Sequence, residues 1–252
     1  MIEKNCGGVV IDGTNGTMIG DGDGNFVADV NGSARVWMDH ALWPQMTTKL
    51  YIDQTGDINI LNRQVSYFKD AQTERGSRID TLWDAGQGSL LRTENDDIYA
   101  GTILEHLLIQ QLTAFYEVGD HNIYRLRGAD WNDALDMAPE HGESVAFTCA
   151  YAGNLRELAS MIRLLDRLSP KKNAELIEEL RVLLNDNTEL FENIKAKKDL
   201  LAEYMQSCSH RISGRRFTVR LSELAENLEH KADWLTKYLQ DHEWIDGESD
   251  EG

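Results

Sequence analysis

The chain has 252 residues, 41% of them hydrophobic and 27% charged, which is a globular mixture and not that of a disordered segment. Forty-three acidic residues against 25 basic ones give a net charge of −18, which argues against a nucleic-acid backbone or an anionic membrane leaflet as partner. Three widely spaced cysteines, Cys6, Cys149 and Cys208, form no CxxC pair, so neither a thiolate zinc site nor a redox dithiol is expected, and no run of about 18 apolar residues offers a membrane span.

Glycine divides the chain. Eight of the twenty glycines fall in residues 1–32, a loop-rich entry segment, whereas Gly214 alone lies between Asn154 and Asp246. Met1–Asn5 carry no basic-then-apolar leader pattern, so a cytoplasmic location is expected. Trp37, Leu42, Met46, Leu50 and Tyr51 recur at helical spacing and predict a helix over 36–54, with Pro44 as a kink or a later start and Gly56 as its closing residue. A shorter helix is expected over 58–69, then a polar loop over 72–95. Asn95, Asp96 and Asp97 are good cap types for a following helix with Ile103, Leu104, Leu107, Leu108, Leu112 and Phe115 on one broad face. Residues 120–142 read as irregular, and a long helix runs from Ser144 to about Leu168, stopped at Ser169-Pro170. Residues 171–243 read as a hairpin or triplet of amphipathic helices, with leucine stripes at 176–184, 190–204 and 221–239, and with 211–220 as a connector.

The densest chemistry lies in Asp130, Trp131, Asp133 and Asp136, followed by Glu143. Three aspartates at i, i+3 and i+6 would repel on one helical face. Such a cluster fits a metal, a bound polyol, a shared proton or ordinary helix capping. A pyranose offers hydroxyls to carboxylates and an apolar face to an indole, and a carboxylic acid beside an aromatic wall can protonate a glycosidic oxygen near neutral pH. Arg35, Trp37, Asp39, His40 and Trp43 form a second cluster: Arg35 and Asp39 either pair across a turn or face a sugar pocket. Glu105-His106 lies on the apolar helix, where backbone or arginine partners are the bland expectation. Asp12, Asp21, Asp23, Asn25 and Asp29 resemble a calcium loop, but a loop starting at Asp21 has Phe26 at its sixth position and Gly32 at its twelfth, so turn formation is expected. GxSxG, Walker A and HExxH are missing, and Gly20, Gly22 and Gly24 do not make GxGxxG.

Gly128-Ala129-Asp130-Trp131-Asn132-Asp133 with Gly142-Glu143-Ser144-Val145 resembles glycoside hydrolase family 94, the cellobiose, chitobiose and 1,2-β-oligoglucan phosphorylases. Arg35–Pro44 running on to Asp57, and Leu104-Glu105-His106, agree in order and spacing. Ala134–Ala138 and Val10–Asn15 look most like the 1,2-β-oligoglucan branch. The resemblance covers about residues 7–168 and is weak beyond Pro170. It implies an all-α fold, part of an (α/α)6 barrel, treated as one catalytic domain with a family-like core at 33–168. It also implies inverting phosphorolysis of a β-glucoside to an α-sugar 1-phosphate. Asp133 maps onto the general acid and Trp131 onto the tryptophan of subsite −1, with Asp130, Arg35, Asp39 and Glu105 as substrate-binding residues. No cofactor or metal is implied. Inorganic phosphate is the co-substrate and an oligosaccharide the partner.

Only seven or eight helices can be counted where the family has twelve, and the family's upstream sugar-gripping and downstream phosphate-binding motifs are missing. The chain is therefore expected to be an internal piece of a longer enzyme, active only with its missing parts, and as an isolated chain to form a homo-oligomer through open barrel faces or to be poorly stable. Two alternatives stay open. One is a catalytically silent helical module with a carbohydrate-binding or scaffolding role. The other is an inverting hydrolase, which needs a second carboxylate, Glu143 or Asp39, roughly 6.5–9.5 Å from the acid.

Overall fold

A computed structural model describes residues 2–16, 18–19, 26–27, 38–127 and 140–244. The described chain is mostly helical, with four two-stranded antiparallel sheets. It opens on the short helix α1 (Ile2–Cys6), followed by the pair β1 (Met18–Ile19) and β2 (Phe26–Val27). Helix α2 (Leu42–Thr55) starts later than its apolar spacing predicts, because Met38–Ala41 form a turn closed by Leu42 N–H donating to the Asp39 carbonyl at 2.9 Å. Pro44 sits in the first turn, where a missing N–H costs nothing, so it marks the start and not a kink. Gly56 closes the helix at φ +71°, its N–H returning to the Ile52 carbonyl.

The helix expected over 58–69 is only a 3₁₀ turn, Ile58–Asn62. Strand β3 (Gln64–Ser66) follows and pairs with β6 (Ala100–Thr102), so tertiary pairing overrides local propensity there. Within the expected loop lies a hairpin, β4 (Gln72–Thr73) and β5 (Arg78–Ile79), turned through Glu74, Arg75 and Gly76, all at positive φ. Asn95–Asp97 form a turn. The cap of α3 (Ile103–Tyr116) is Thr102, whose hydroxyl accepts the Glu105 N–H at 3.1 Å, because β6 stands between the predicted cap and the helix.

All fourteen residues of α3 are buried, its polar side chains included, making it the axis of the core. Helix α4 (Val145–Leu168) runs as predicted, with the Ser144 hydroxyl accepting the Phe147 N–H and Ser169 ending it. The first of the three leucine stripes is not an α-helix: Leu176 lies in a strand and Leu180, Leu183 and Leu184 in a 3₁₀ helix. Asn173–Ile177 is strand β7, continued by a 3₁₀ segment at Glu178–Leu184, and β7 pairs along its length with β8 (Arg216–Arg220), the predicted connector. The second stripe breaks at Asn193, which caps α6 (Ile194–Ser207) after a short α5 (Thr188–Glu192). The third stripe is α7 (Leu221–His242), which packs antiparallel along α4, with Arg156 meeting Asp233 and Arg163 meeting Glu229.

Candidate functional site

Asp130, Trp131, Asp133 and Arg35 lie outside the described residues, as do Trp37, Asp21, Asp23, Asn25 and Asp29. What the structure describes is the frame of backbone that flanks residues 128–139 along the chain. Strand-like backbone at 124–126 runs antiparallel to 142–144: Leu126 N–H donates to the Gly142 carbonyl at 2.7 Å and Ser144 N–H to the Tyr124 carbonyl at 3.0 Å. Arg125 Nη2 donates to the Glu140 carbonyl at 2.8 Å. These bonds bring the two ends of residues 127–141 together across one backbone ladder.

Two carboxylates brace this frame. Glu117, just past α3, is buried and accepts Arg75 Nε at 2.6 Å on one oxygen and Arg127 Nε at 2.7 Å on the other. Burial pushes its carboxyl up, but the two guanidiniums outweigh this and hold it below the usual carboxylate range. Arg75 also donates to the Asp12 carbonyl and to the Thr113 hydroxyl. Asp12 accepts the Thr14 N–H, the Thr14 hydroxyl and the Arg75 N–H, so it is a turn former and not an open ligand. The second brace is Glu143. It accepts the His121 N–H at 3.0 Å, the Ile123 N–H at 3.4 Å and His121 Nδ1 at 2.6 Å. Gly119 makes room for it, since a Cβ at that position would overlap the Glu143 carboxyl. With its oxygens engaged in this way, Glu143 holds loop backbone.

Asp39 is half-buried at the entrance to α2. Its Oδ2 accepts Trp43 Nε1 at 3.0 Å, and its Oδ1 is buried without a hydrogen-bond partner among the described residues. Glu105 has no exposed surface. Its Oε1 accepts the Tyr67 hydroxyl at 2.8 Å and the Tyr99 hydroxyl at 3.1 Å, and its Oε2 the Ile177 N–H at 2.8 Å. Burial raises its pKa, and the tyrosine and backbone bonds only partly offset this. Glu105 thus ties α3 to β7, the bland outcome for this carboxylate. His106 stacks on Tyr67 with ring centroids 3.7 Å apart and bonds the Thr102 carbonyl through Nδ1 at 2.8 Å. Burial lowers its pKa to about 4, so it is neutral at pH 7. Asp39 and Glu105 belong to separate parts of the fold, one at the start of α2 and one against β6 and β7.

Among the described residues no group of three His, Cys, Asp or Glu could hold a metal ion, and no helix is long and apolar enough to cross a membrane. Sequence reasoning missed Arg75 and Glu117. Arg75 carries φ +54° inside a turn, and Glu117 is a lone carboxylate directly after a fourteen-residue buried helix. Only the second of these leaves a trace in the sequence.

No family model matches the chain. It is similar to a solabiose phosphorylase from Paenibacillus borealis, 24% identical over 156 residues. That alignment covers 60% of this chain, and the chain spans about 17% of the length of that relative.

Proposed function

We propose that the chain is part of a glycoside phosphorylase that cleaves a β-glucosidic bond with inorganic phosphate, inverting the anomeric centre to give α-glucose 1-phosphate. The observation that carries this is the similarity to a phosphorylase over 156 residues, joined to the Asp130-Trp131-Asn132-Asp133 motif. In this reading the chain contributes part of an (α/α)6 barrel. Asp133 protonates the glycosidic oxygen, and Trp131 stacks against the apolar face of the sugar. Asp130, Arg35 and Asp39 bind hydroxyls. The unpartnered Oδ1 of Asp39 supports that last role, whereas Glu105, bonded to Tyr67, Tyr99 and the Ile177 amide, serves the packing of α3. Phosphate is already anionic, so the reaction needs no second carboxylate and no cofactor. The engagement of Glu143 with backbone and His121 fits that economy better than a water-activating base would. The preferred donor is a β-1,2-linked glucooligosaccharide.

The test is phosphate release from α-glucose 1-phosphate with glucose, sophorose, cellobiose and solabiose as acceptors, with Asp133→Asn as control. Release by the parent chain that falls at least about a hundredfold in the variant supports the assignment. Equal release in both removes Asp133 from the role of acid. A folded chain with no release on any acceptor means that these residues do not suffice for turnover.

A further inference from the structure

Lys171 and Lys172 follow the end of α4, and Arg216 opens β8. The register of β7 on β8 pairs Glu175 with Thr218 and Asn173 with Arg220, which puts these exposed side chains, with Arg216, on the outer face of the ribbon. Beside that face a groove of about 640 Å³ extends toward the β3–β6 pair, with the buried Leu104 of α3 in its wall. That volume lies within the range of small-molecule sites, and among the described residues neither Asp39 nor Glu105 lines it.

The charge of the lining is opposite to that of the molecule. Lys171, Lys172 and Arg216 stand against one carboxylate, Glu175, on a chain of net charge −18. These cations are poorly neutralised. Among the described residues Lys171 has no ion pair, and Lys172 reaches an Asp166 carboxylate oxygen only at 3.7 Å while donating to the Asp166 carbonyl. Arg216 donates to the Ala100 carbonyl at 2.6 Å and lies 5.1 Å over the Tyr99 ring; among the described residues it makes no ion pair, and its charge acts only at longer range on the buried Glu105 carboxylate. Two ammonium groups and a guanidinium fork gathered in one cavity match phosphate oxygens. The remaining polar lining, the side chains of Asn62, Gln64, Thr102, Asn173 and Thr218, is uncharged and suits hydroxyl groups.

We propose that this groove binds a phosphate monoester of a polyhydroxylated small molecule, a sugar phosphate by chemical class. The assignment is separate from the acid role of Asp133, because binding is read without turnover. The experiment is a titration of the isotope-labelled 252-residue chain, followed by backbone amide NMR shifts, with glucose 6-phosphate, inorganic phosphate and glucose as separate probes. Glucose 6-phosphate shifts the amides of residues 172–175 and 216–218 saturably, with a Kd of roughly 1 mM or below, and added salt weakens it. Inorganic phosphate shifts the same amides more weakly, and glucose leaves them unmoved. The double variant Lys171→Gln/Lys172→Gln, at two exposed positions, binds about tenfold more weakly while its other amide shifts are retained. The proposal is overturned if glucose 6-phosphate leaves these amides unmoved at tens of millimolar, as for a ribbon whose charges only protect its edges. It is also overturned if the double variant binds as well as the parent, or if inorganic phosphate or glucose binds as tightly as the sugar phosphate.

Discussion

Lys197 and Lys231 have no exposed surface, yet neither meets a carboxylate closely. Lys197 Nζ donates to Asn122 at 3.0 Å and lies 4.2 Å over the Trp234 ring. Lys231 Nζ donates to the Asn185 carbonyl at 2.7 Å and to Asn227 at 2.8 Å, with Asp186 at 3.9 Å. Phe115 and Phe191 complete an aromatic enclosure around the pair. Burial lowers both pKa values, that of Lys231 to about 7 from 10.5, against a weaker opposing pull from Asp186. Between these two values the unfolded chain holds a proton that the folded chain does not, so stability rises as pH increases from about 7 toward 9. Replacing Lys231 by Met removes its share of that rise, and calorimetry at pH 7 and 9 should show a smaller increase in Tm for the variant. An unchanged difference would mean that Lys231 stays charged in the fold. Lys197 falls within the stripe at 190–204, so its place on the inner face of a helix is legible in the sequence. Its companion on α7 is not, because the two ammonium groups meet only when α6 and α7 pack.

Elements with self-contained signals were legible in the sequence. Helix α4 carries its own cap in Ser144 and its own stop in Ser169-Pro170, and α2 ends on a glycine at φ +71°. The stripe at Leu176–Leu184 has helical spacing but becomes strand and 3₁₀ turn, since β8, forty residues on, supplies a hydrogen-bonding partner that no local pattern records. The same holds for the loop frame. Gly119 reads as one more loop glycine, yet it sits against the Glu143 carboxyl that organises residues 121–123. Gly119→Ala should therefore destabilise the chain by about 1–3 kcal/mol, read as a lower urea midpoint at unchanged slope. A midpoint within a few tenths of a kcal/mol of the parent would show that the Glu143 brace yields freely.

At the scale of the molecule, α2 is turned outward in an unusual sense. Its buried face holds Gln45 and Thr48, whereas Trp43, Met46 and Leu50 are 53%, 41% and 59% exposed. Apolar side chains grouped on a solvent face promote association. Sedimentation velocity should show self-association that grows with concentration and recedes in Met46→Lys/Leu50→Lys; a monodisperse parent at every concentration would contradict this. The sequence by itself determined the acidic surface, the apolar α3, the limits of α4 and the motif at Asp130–Asp133, because composition, periodicity, caps and short motifs are local properties of the chain. Only the tertiary structure decided that Glu105 is spent on two tyrosines and the Ile177 amide, that Glu117 and Glu143 hold Arg127 and the backbone of residues 121–123, and that Lys171, Lys172 and Arg216 share a groove. Each of these joins residues that are far apart along the chain, and burial and hydrogen bonding act on distance in space, which one-dimensional spacing does not encode.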